Sequence, residues 1–521
     1  MALPVLKIVD QYGRNIPRAA MTGEYEGAAT GRRMSTWGTS SASANTSLYS
    51  SLSTLRGRTR ELRRNNPLAE SGAESLIANI IGSGINPRWQ IKDNPKLKQE
   101  IQELWDDWTK ESDFYDHLEF YGQQSLGVSG LIDAGEFLCR FIDVGPGEYD
   151  TVPLKLQLLE ADHLDETFNS IASNGNEIRM SIELDKLGRR LAYWVWNEHP
   201  GEMFSFKAVA SERIRVLKKD MLHVFKPVRI GQMRGRPWLA SIIVKLHELD
   251  QYEDAELVRK KTAAMFGGFI TEAMNAEGAS AGTLFGRKLT NQDANSNDII
   301  ALEPGTFPVL PIGKDVKFSS PADVGVTYEV WIKQQLREVA AGMGITYEQL
   351  TGDLSGVNYS SIRAGLLEFR RRVNQLQYQI LIHQFCRPIA RRWMDTAVLC
   401  GALRIPDYYQ NRRKYLRIEW CPDGWAWVDP VKDQLAEQMA IRNGFKSRAR
   451  VVAERGDDIE DVDREIVEDN DRADKAGLIL DSDPRKTAGS GAIQKAIDET
   501  IKESTGKENK GLQPLEKQGE E

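Results

Sequence analysis

The chain has 521 residues, 41% hydrophobic and 27% charged, an ordinary globular balance with length for a large core or several domains. Its formal net charge of −7 excludes a generally basic, duplex-coating protein. Four widely spaced cysteines, Cys139, Cys386, Cys400 and Cys421, form no CxxC pair and fit a reduced, intracellular setting; no run of about 18 apolar residues reads as a membrane span, and no charged-then-apolar leader pattern is visible.

Residues 1–45 are rich in Gly, Ser, Thr and Ala and read as a loose arm. Leu48, Leu52, Leu55 and Leu62 then share one helical face. Arg56, Arg58, Arg60, Arg63 and Arg64 are spread around the rest, suiting a nucleic-acid patch or, more commonly, a solvated or subunit-facing surface. Pro67 opens a second helix that runs to Ile81 and ends at Gly82 and Gly84. Residues 96–125 read as a helix pair, with Ile101, Leu104, Trp105 and Trp108 on one face. From 127 to 228 short β-branched runs predict mixed β structure in two small sheets: 137–142, 156–159, 191–196 and 221–225.

Gly235-Arg-Pro-Trp begins a long helix, apolar at Leu239, Ile242, Ile243 and Leu246 and mostly charged over 248–261. Residues 272–300 read as an exposed loop region, followed by a strand pair at 299–303 and 306–311. Ile332, Leu336, Val339 and Met343 form the stripe of a further helix that stops near Gly342 and Gly344. The loop Thr351-Gly-Asp-Leu-Ser-Gly-Val-Asn358 follows, with Asn358 or Ser360 suited to cap the next helix. That helix carries Ile362, Leu366, Phe369, Val373, Leu376 and Ile380 on one face and Arg363, Arg370, Arg371 and Arg372 on another, and continues through Phe385, Ile389 and Trp393. Pro388 lacks an N–H and clashes with the carbonyl of Gln384, so a kink is expected there. Residues 401–428 return to β, with strands 416–420 and 425–428 about a Pro-Asp-Gly turn. Short helices start at Asp429-Pro430 and run to about Lys475; 457–475 holds 10 acidic and 3 basic residues, a solvated surface. The tail after Pro484 reads as disordered.

Several of these runs resemble one family. Arg64-Asn-Asn-Pro, Pro153-Leu-Lys-Leu-Gln-Leu-Leu-Glu, Gly235-Arg-Pro-Trp-Leu-Ala with Leu249-Asp-Gln-Tyr-Glu, Ile345-Thr-Tyr-Glu-Gln-Leu-Thr-Gly-Asp-Leu-Ser-Gly-Val-Asn-Tyr, and Gln384-Phe-Cys-Arg-Pro are similar to the lambda-type portal proteins of tailed bacteriophages. The resemblance spans about 48–475 and is densest over 235–265 and 328–405. It implies an α+β portal fold, divided as a flexible arm (1–45), a wing of mixed sheets and helices (46–236), stem helix 1 (237–270), a small α/β clip (271–322), stem helix 2 (323–345), a tunnel loop (346–359), a long kinked helix (360–400), a wing return (401–428), a helical crown (429–475) and a disordered tail (476–521).

The function implied is a ring of copies, generally twelve, at one capsid vertex. Through it duplex DNA is packaged and ejected, and on it the terminase large subunit, capsid or scaffold proteins and head-completion adaptors dock. The expected location is the virion, with the host cytoplasm during assembly. No cofactor, metal or membrane partner is implied. Loop residues Thr351, Gly352, Asp353, Leu354, Ser355, Gly356, Val357, Asn358 and Tyr359 would face the DNA. Arg259, Lys260, Lys261 and Arg363 would form a basic lumen ring or pair between subunits with Glu253 or Glu256. An acidic chain with only local basic sites suits a ring that lets DNA slide, because many phosphate contacts would grip it.

Enzyme signatures are lacking. No G-x4-G-K-[ST] loop occurs, the nearest run (Gly282 to Lys288) having the wrong spacing; HExxH is absent, and the six histidines are scattered. His163 beside Asp162 reads as structural. The alternative from another class is a metal-dependent, DNA-processing phage enzyme, and a third reading is a shell protein without a channel.

Overall fold

Local signals set the first helices. Helix α1 (Ala44–Tyr49) is capped by the Ser43 hydroxyl, and α2 spans Leu52–Asn65. Asn66 ends α2 and caps α3 (Pro67–Ile81), its side-chain oxygen accepting from the N–H groups of Leu68 and Ala69 at 3.1 and 3.0 Å. The computed structural model describes residues 32–204, 212–265, 327–356, 359–425 and 430–478, isolated positions 28, 480, 483 and 485, and four two-residue strands between 283 and 299. The expected arm before 28 and tail after 485 lie outside the described residues.

After strand β1 (Asn86–Trp89) come α4 (Pro95–Glu111) and α5 (Phe120–Asp133), the expected helix pair. The two expected sheets are both antiparallel. One orders β2 (Glu136–Asp143) between β3 (Leu154–Glu160) and β9 (Met221–Phe225). The other runs in chain order through β4 (Ser170–Ile171), β5 (Glu177–Arg179), β6 (Ile182–Leu184), β7 (Arg190–Trp196) and β8 (Arg213–Leu217). Helix α6 (Ile243–Met265) follows a short 3-10 turn at Trp238–Ser241. The stretch 272–300, read from sequence as loop, contains two small hairpins, β10–β11 (Thr283–Leu284, Arg287–Lys288) and β12–β13 (Asn291–Gln292, Asp298–Ile299). The strand pair expected at 299–311 lies outside the described residues apart from Ile299.

Helix α7 (Thr327–Met343) ends at Gly344, whose φ of +86° suits glycine. After it come α8 (Tyr347–Thr351) and α9 (Tyr359–Leu376), then a π-helical segment (Gln377–Cys386) and α10 (Arg387–Cys400) without a break. The interruption expected at Pro388 takes this form. The Arg387 N–H reaches back five residues to the Ile382 carbonyl, and the widened turn relieves the carbonyls that a proline ring would strike in a tight α-helix. Gln384, inside that segment, both donates to and accepts from the backbone of Phe225 at 3.1 Å, so it occupies the open edge of β9.

The return to β is made by strand β14 (Ile418–Cys421), which follows α11 (Tyr408–Tyr415) and pairs with β1, with Asn86 opposite Cys421 and Trp89 opposite Ile418, a pairing across more than three hundred residues. The second strand expected there, 425–428, lies outside the described residues apart from Trp425. Asp423 of the Pro-Asp-Gly run accepts from the backbone and hydroxyl of Ser83, both at 2.5 Å. The chain ends in α12 (Pro430–Arg442), α13 (Arg448–Ala453) and α14 (Ile459–Ala476).

The core is built around four tryptophans. Trp89, Trp105, Trp108 and Trp393 are fully buried with Phe120 and Phe385, and Trp105 lies 4.9–5.5 Å, ring centre to centre, from each of the other three tryptophans and Phe120. These rings come from β1, α4, α5, the π segment and α10, so the long helix is the axis on which β1, α4 and α5 pack.

Candidate DNA-channel loop and its supports

The segment before α9 is better ordered than its composition suggests. Thr346 caps α8 in a reciprocal box: its hydroxyl accepts from the Gln349 N–H, and the Gln349 side chain accepts from the Thr346 N–H at 3.0 Å. Part of the stretch assigned from sequence to the loop is therefore helix. Leu350 is buried, and its carbonyl accepts from Ser71 on α3 at 3.1 Å. Gly72 of α3 makes room for Met343 and Leu350, whose side chains stand where a Cβ would be. The base of the loop is thus fastened to α3.

Beyond α8 the chain turns on its own side chains. The Thr351 hydroxyl donates to the Tyr347 carbonyl and accepts from the Asp353 N–H, and Gly352 takes a left-handed conformation at φ +71°. Asp353 accepts from the Ser355 hydroxyl at 2.6 Å, from the Ser355 N–H at 3.0 Å and from the Tyr347 phenol at 3.0 Å, with the Lys333 ammonium of α7 at 3.7 Å. Those bonds, led by the Ser355 hydroxyl, hold the Asp353 carboxyl down to about 2. Leu354, Ser355 and Gly356 are exposed at the tip; Val357 and Asn358 lie outside the described residues, and Tyr359 opens α9. Tyr347 and Lys333 were missed from sequence. Tyr347 stands four residues before Thr351 on one helical face, a signal that could have found it; Lys333 belongs to another helix, and no local pattern marks it.

The four basic candidates do not form one group. Arg259 and Lys260 reach Glu256 of their own helix α6 at 2.6 and 3.8 Å, and Lys260 also stands over the Tyr328 ring at 5.2 Å. Lys261 is exposed one residue on. Arg363 of α9 donates to Asp433 of α12 at 2.8 Å. Of the inter-subunit partners envisaged for them, Glu256 is engaged within its own helix.

The arginines of α2 correct a second expectation. Arg56 is buried, and Arg60 and Arg63 bind carboxylates of the same chain, so these three form neither a nucleic-acid patch nor an open surface. Arg56 belongs to a closed cluster around Glu136, the first residue of β2. Glu136 accepts from Arg56 at 2.9 Å, Arg234 at 2.8 Å, the Gly235 N–H at 2.6 Å and His223 of β9 at 2.8 Å, and all four side chains are buried. Burial alone would raise this carboxyl; Arg234, His223 and Arg56 outweigh burial and hold it well below its usual range. His223 accepts at Nδ1 from Arg190 and donates from Nε2 to Glu136, which fits the neutral ring; burial pushes its pKa down to about 4.

The enzyme alternative gains no site. Among the described residues one trio could offer metal ligands, Glu160, Asp162 and His199. The Arg60 guanidinium stands 2.7 Å from Glu160 and 2.5 Å from Asp162 and already supplies the positive charge an ion would bring.

The family described as "Phage portal protein, lambda family" matches residues 30–377, two thirds of the sequence. The chain belongs to that family. It is 30% identical over 443 residues to the "Probable portal protein" of Halomonas phage phiHAP-1, covering 83% of this chain and 82% of that protein. It is 21% identical over 492 residues to Portal protein B of Escherichia phage lambda, covering 87% and 90%. Among solved structures, it resembles a chain of the neck of an empty GTA particle at 16% identity and a TM-score of 0.38, covering 77% of this chain and 93% of that one. The portal role follows from the family match and the phage relative, and the comparisons give the alternative of a metal-dependent DNA-processing enzyme no support. Among the described residues no helix is long and apolar enough to cross a membrane.

Proposed function

We propose that this portal-family chain works as a closed ring, twelve copies at one capsid vertex, with the Thr351–Tyr359 loop facing duplex DNA that passes in during packaging and out during ejection. The observation that carries this reading is the portal-family match over 30–377, a span that contains both α7 and the whole loop. The role is structural rather than catalytic. In this reading 237–270 and 323–345 are the stem, 271–322 the clip that meets the terminase large subunit and later the head-completion adaptors, 46–236 the wing, 360–400 the long helix behind the loop and 429–475 the crown. The chain assembles in the host cytoplasm and remains in the virion.

The geometry supports a loop that touches DNA without gripping it. Its base is fastened to α3, its tip presents Leu354, Ser355 and Gly356, and its carboxylate is committed to Ser355 and Tyr347. Arg259, Lys260 and Arg363 are already held by carboxylates, which leaves few strong phosphate ligands in these places. Deleting Gly352–Asn358 tests the reading. Rings of the deletion chain should still form under negative-stain imaging, while packaging or retention of DNA in assembled heads fails. Normal packaging by the deletion chain would refute the role of the loop.

A further inference from the structure

Three cations of this chain converge with no carboxylate among the described residues lining the same cavity. Lys226 follows β9, Arg236 precedes α6 and Arg372 lies on α9; all three line one cavity of about 290 Å³ between the start of α6 and the end of α7. Arg372 lies over Gly344, where any side chain would collide with its guanidinium. None of the three has an ion pair within the described residues. Lys226 feels only burial and the positive charges of Arg372 and Arg236, all of which lower its pKa. All three are exposed, and like charges held close repel one another unless an anion joins them. Val228 and Ile230, beside Lys226, are strongly exposed, which suits a protein partner better than a phosphate backbone.

The complement is on α6 itself. Asp250, Glu253, Asp254 and Leu257 recur at i, i+3, i+4 and i+7, one stripe of the helix, and all four are exposed. No cation of the same chain pairs with these acids among the described residues, and Glu253 is raised by burial and by Asp250 beside it. A chain cannot close this pair on itself if both faces point outward. A ring can, because rotation brings two different faces of neighbouring copies together. Helix α6 starts at the cavity, so Asp250 lies only about 10 Å further along the helix at 1.5 Å per residue.

We propose, resting on the ring reading above, that the Lys226–Arg236–Arg372 cavity of one copy receives the Asp250–Glu253–Asp254 stripe of the next copy's α6. The contact aligns neighbouring stems and neutralises both uncompensated groups. The test is charge reversal read by native mass and sedimentation of the full chain, with circular dichroism as a check on folding. Arg372→Glu, and separately the pair Lys226→Glu with Arg236→Glu, should raise the concentration needed for half-assembly at least about tenfold. The same is expected of Asp250→Lys with Glu253→Lys. Combining reversals on both faces should restore rings, an outcome that general destabilisation would not give. Rings that form equally well in wild type and every reversed variant overturn this contact and leave the ring intact. Reversed faces that stay apart when combined also overturn it. A wild-type chain that remains monomeric at all concentrations, and in assembled heads is absent from the vertex, overturns the ring reading and this contact with it.

Discussion

Two carboxylates show how differently one chain uses an acid. Glu136 is fully buried and collects partners from α2, β9 and the segment before α6, up to 99 residues away. Asp353 is on the surface, and its hydrogen-bond partners lie within six residues. Both carboxyls are held low, by different means: Glu136 by buried opposite charges that overcome desolvation, Asp353 chiefly by short local hydrogen bonds. The buried cluster fixes how a helix and the three-stranded sheet sit together. The surface cluster fixes only the shape of a loop.

The comparison breaks most visibly at Glu136. Glu136→Gln leaves Arg56 and Arg234 buried without their countercharge and should cost about 3–5 kcal/mol of stability, measured as a fall in denaturant midpoint with the slope unchanged. His223 sharpens it through pH. Its folded pKa of about 4 is below the ordinary value near 6.5, so the unfolded chain binds more protons between these values. Its contribution is therefore fully present above about pH 6.5 and is lost as pH falls toward 4, a change on the order of 2–3 kcal/mol. In His223→Gln the rise of stability between about pH 5 and 6.5, above the range where the lowered carboxylates titrate, should be clearly smaller than in the wild type; an unchanged slope would place the proton uptake elsewhere. The smallest effect on stability belongs to Asp353→Asn. Its denaturation midpoint should match the wild type, while proteolysis within Leu354–Gly356 speeds up about several-fold, because the amide keeps one oxygen for Ser355 but loses the charge and the second acceptor that Tyr347 and Lys333 meet.

Much of the fold was legible because it is written in short-range chemistry. Asn-Pro at 66–67 and the glycines at 82 and 84 bound α3 at the residues found, and the apolar stripe from Phe369 to Trp393 is the buried face of the long helix. The turn over 352–356 was legible from its composition. Its helical base and the Lys333 contact were not, because one depends on a reciprocal cap and the other on a second helix.

The sequence by itself determined most of the helices and their proline and glycine boundaries, the short β runs, the acidic balance and the family, since each is set by neighbours a few residues apart or by recognisable runs. Tertiary structure alone decided that β14 pairs with β1, that Arg56 turns inward to Glu136 while Arg58 stays outside, and that Lys226, Arg236 and Arg372 meet in one cavity. The reason is physical. A charge's role is set by what desolvates it and what faces it, and those neighbours come from parts of the chain that no local pattern joins.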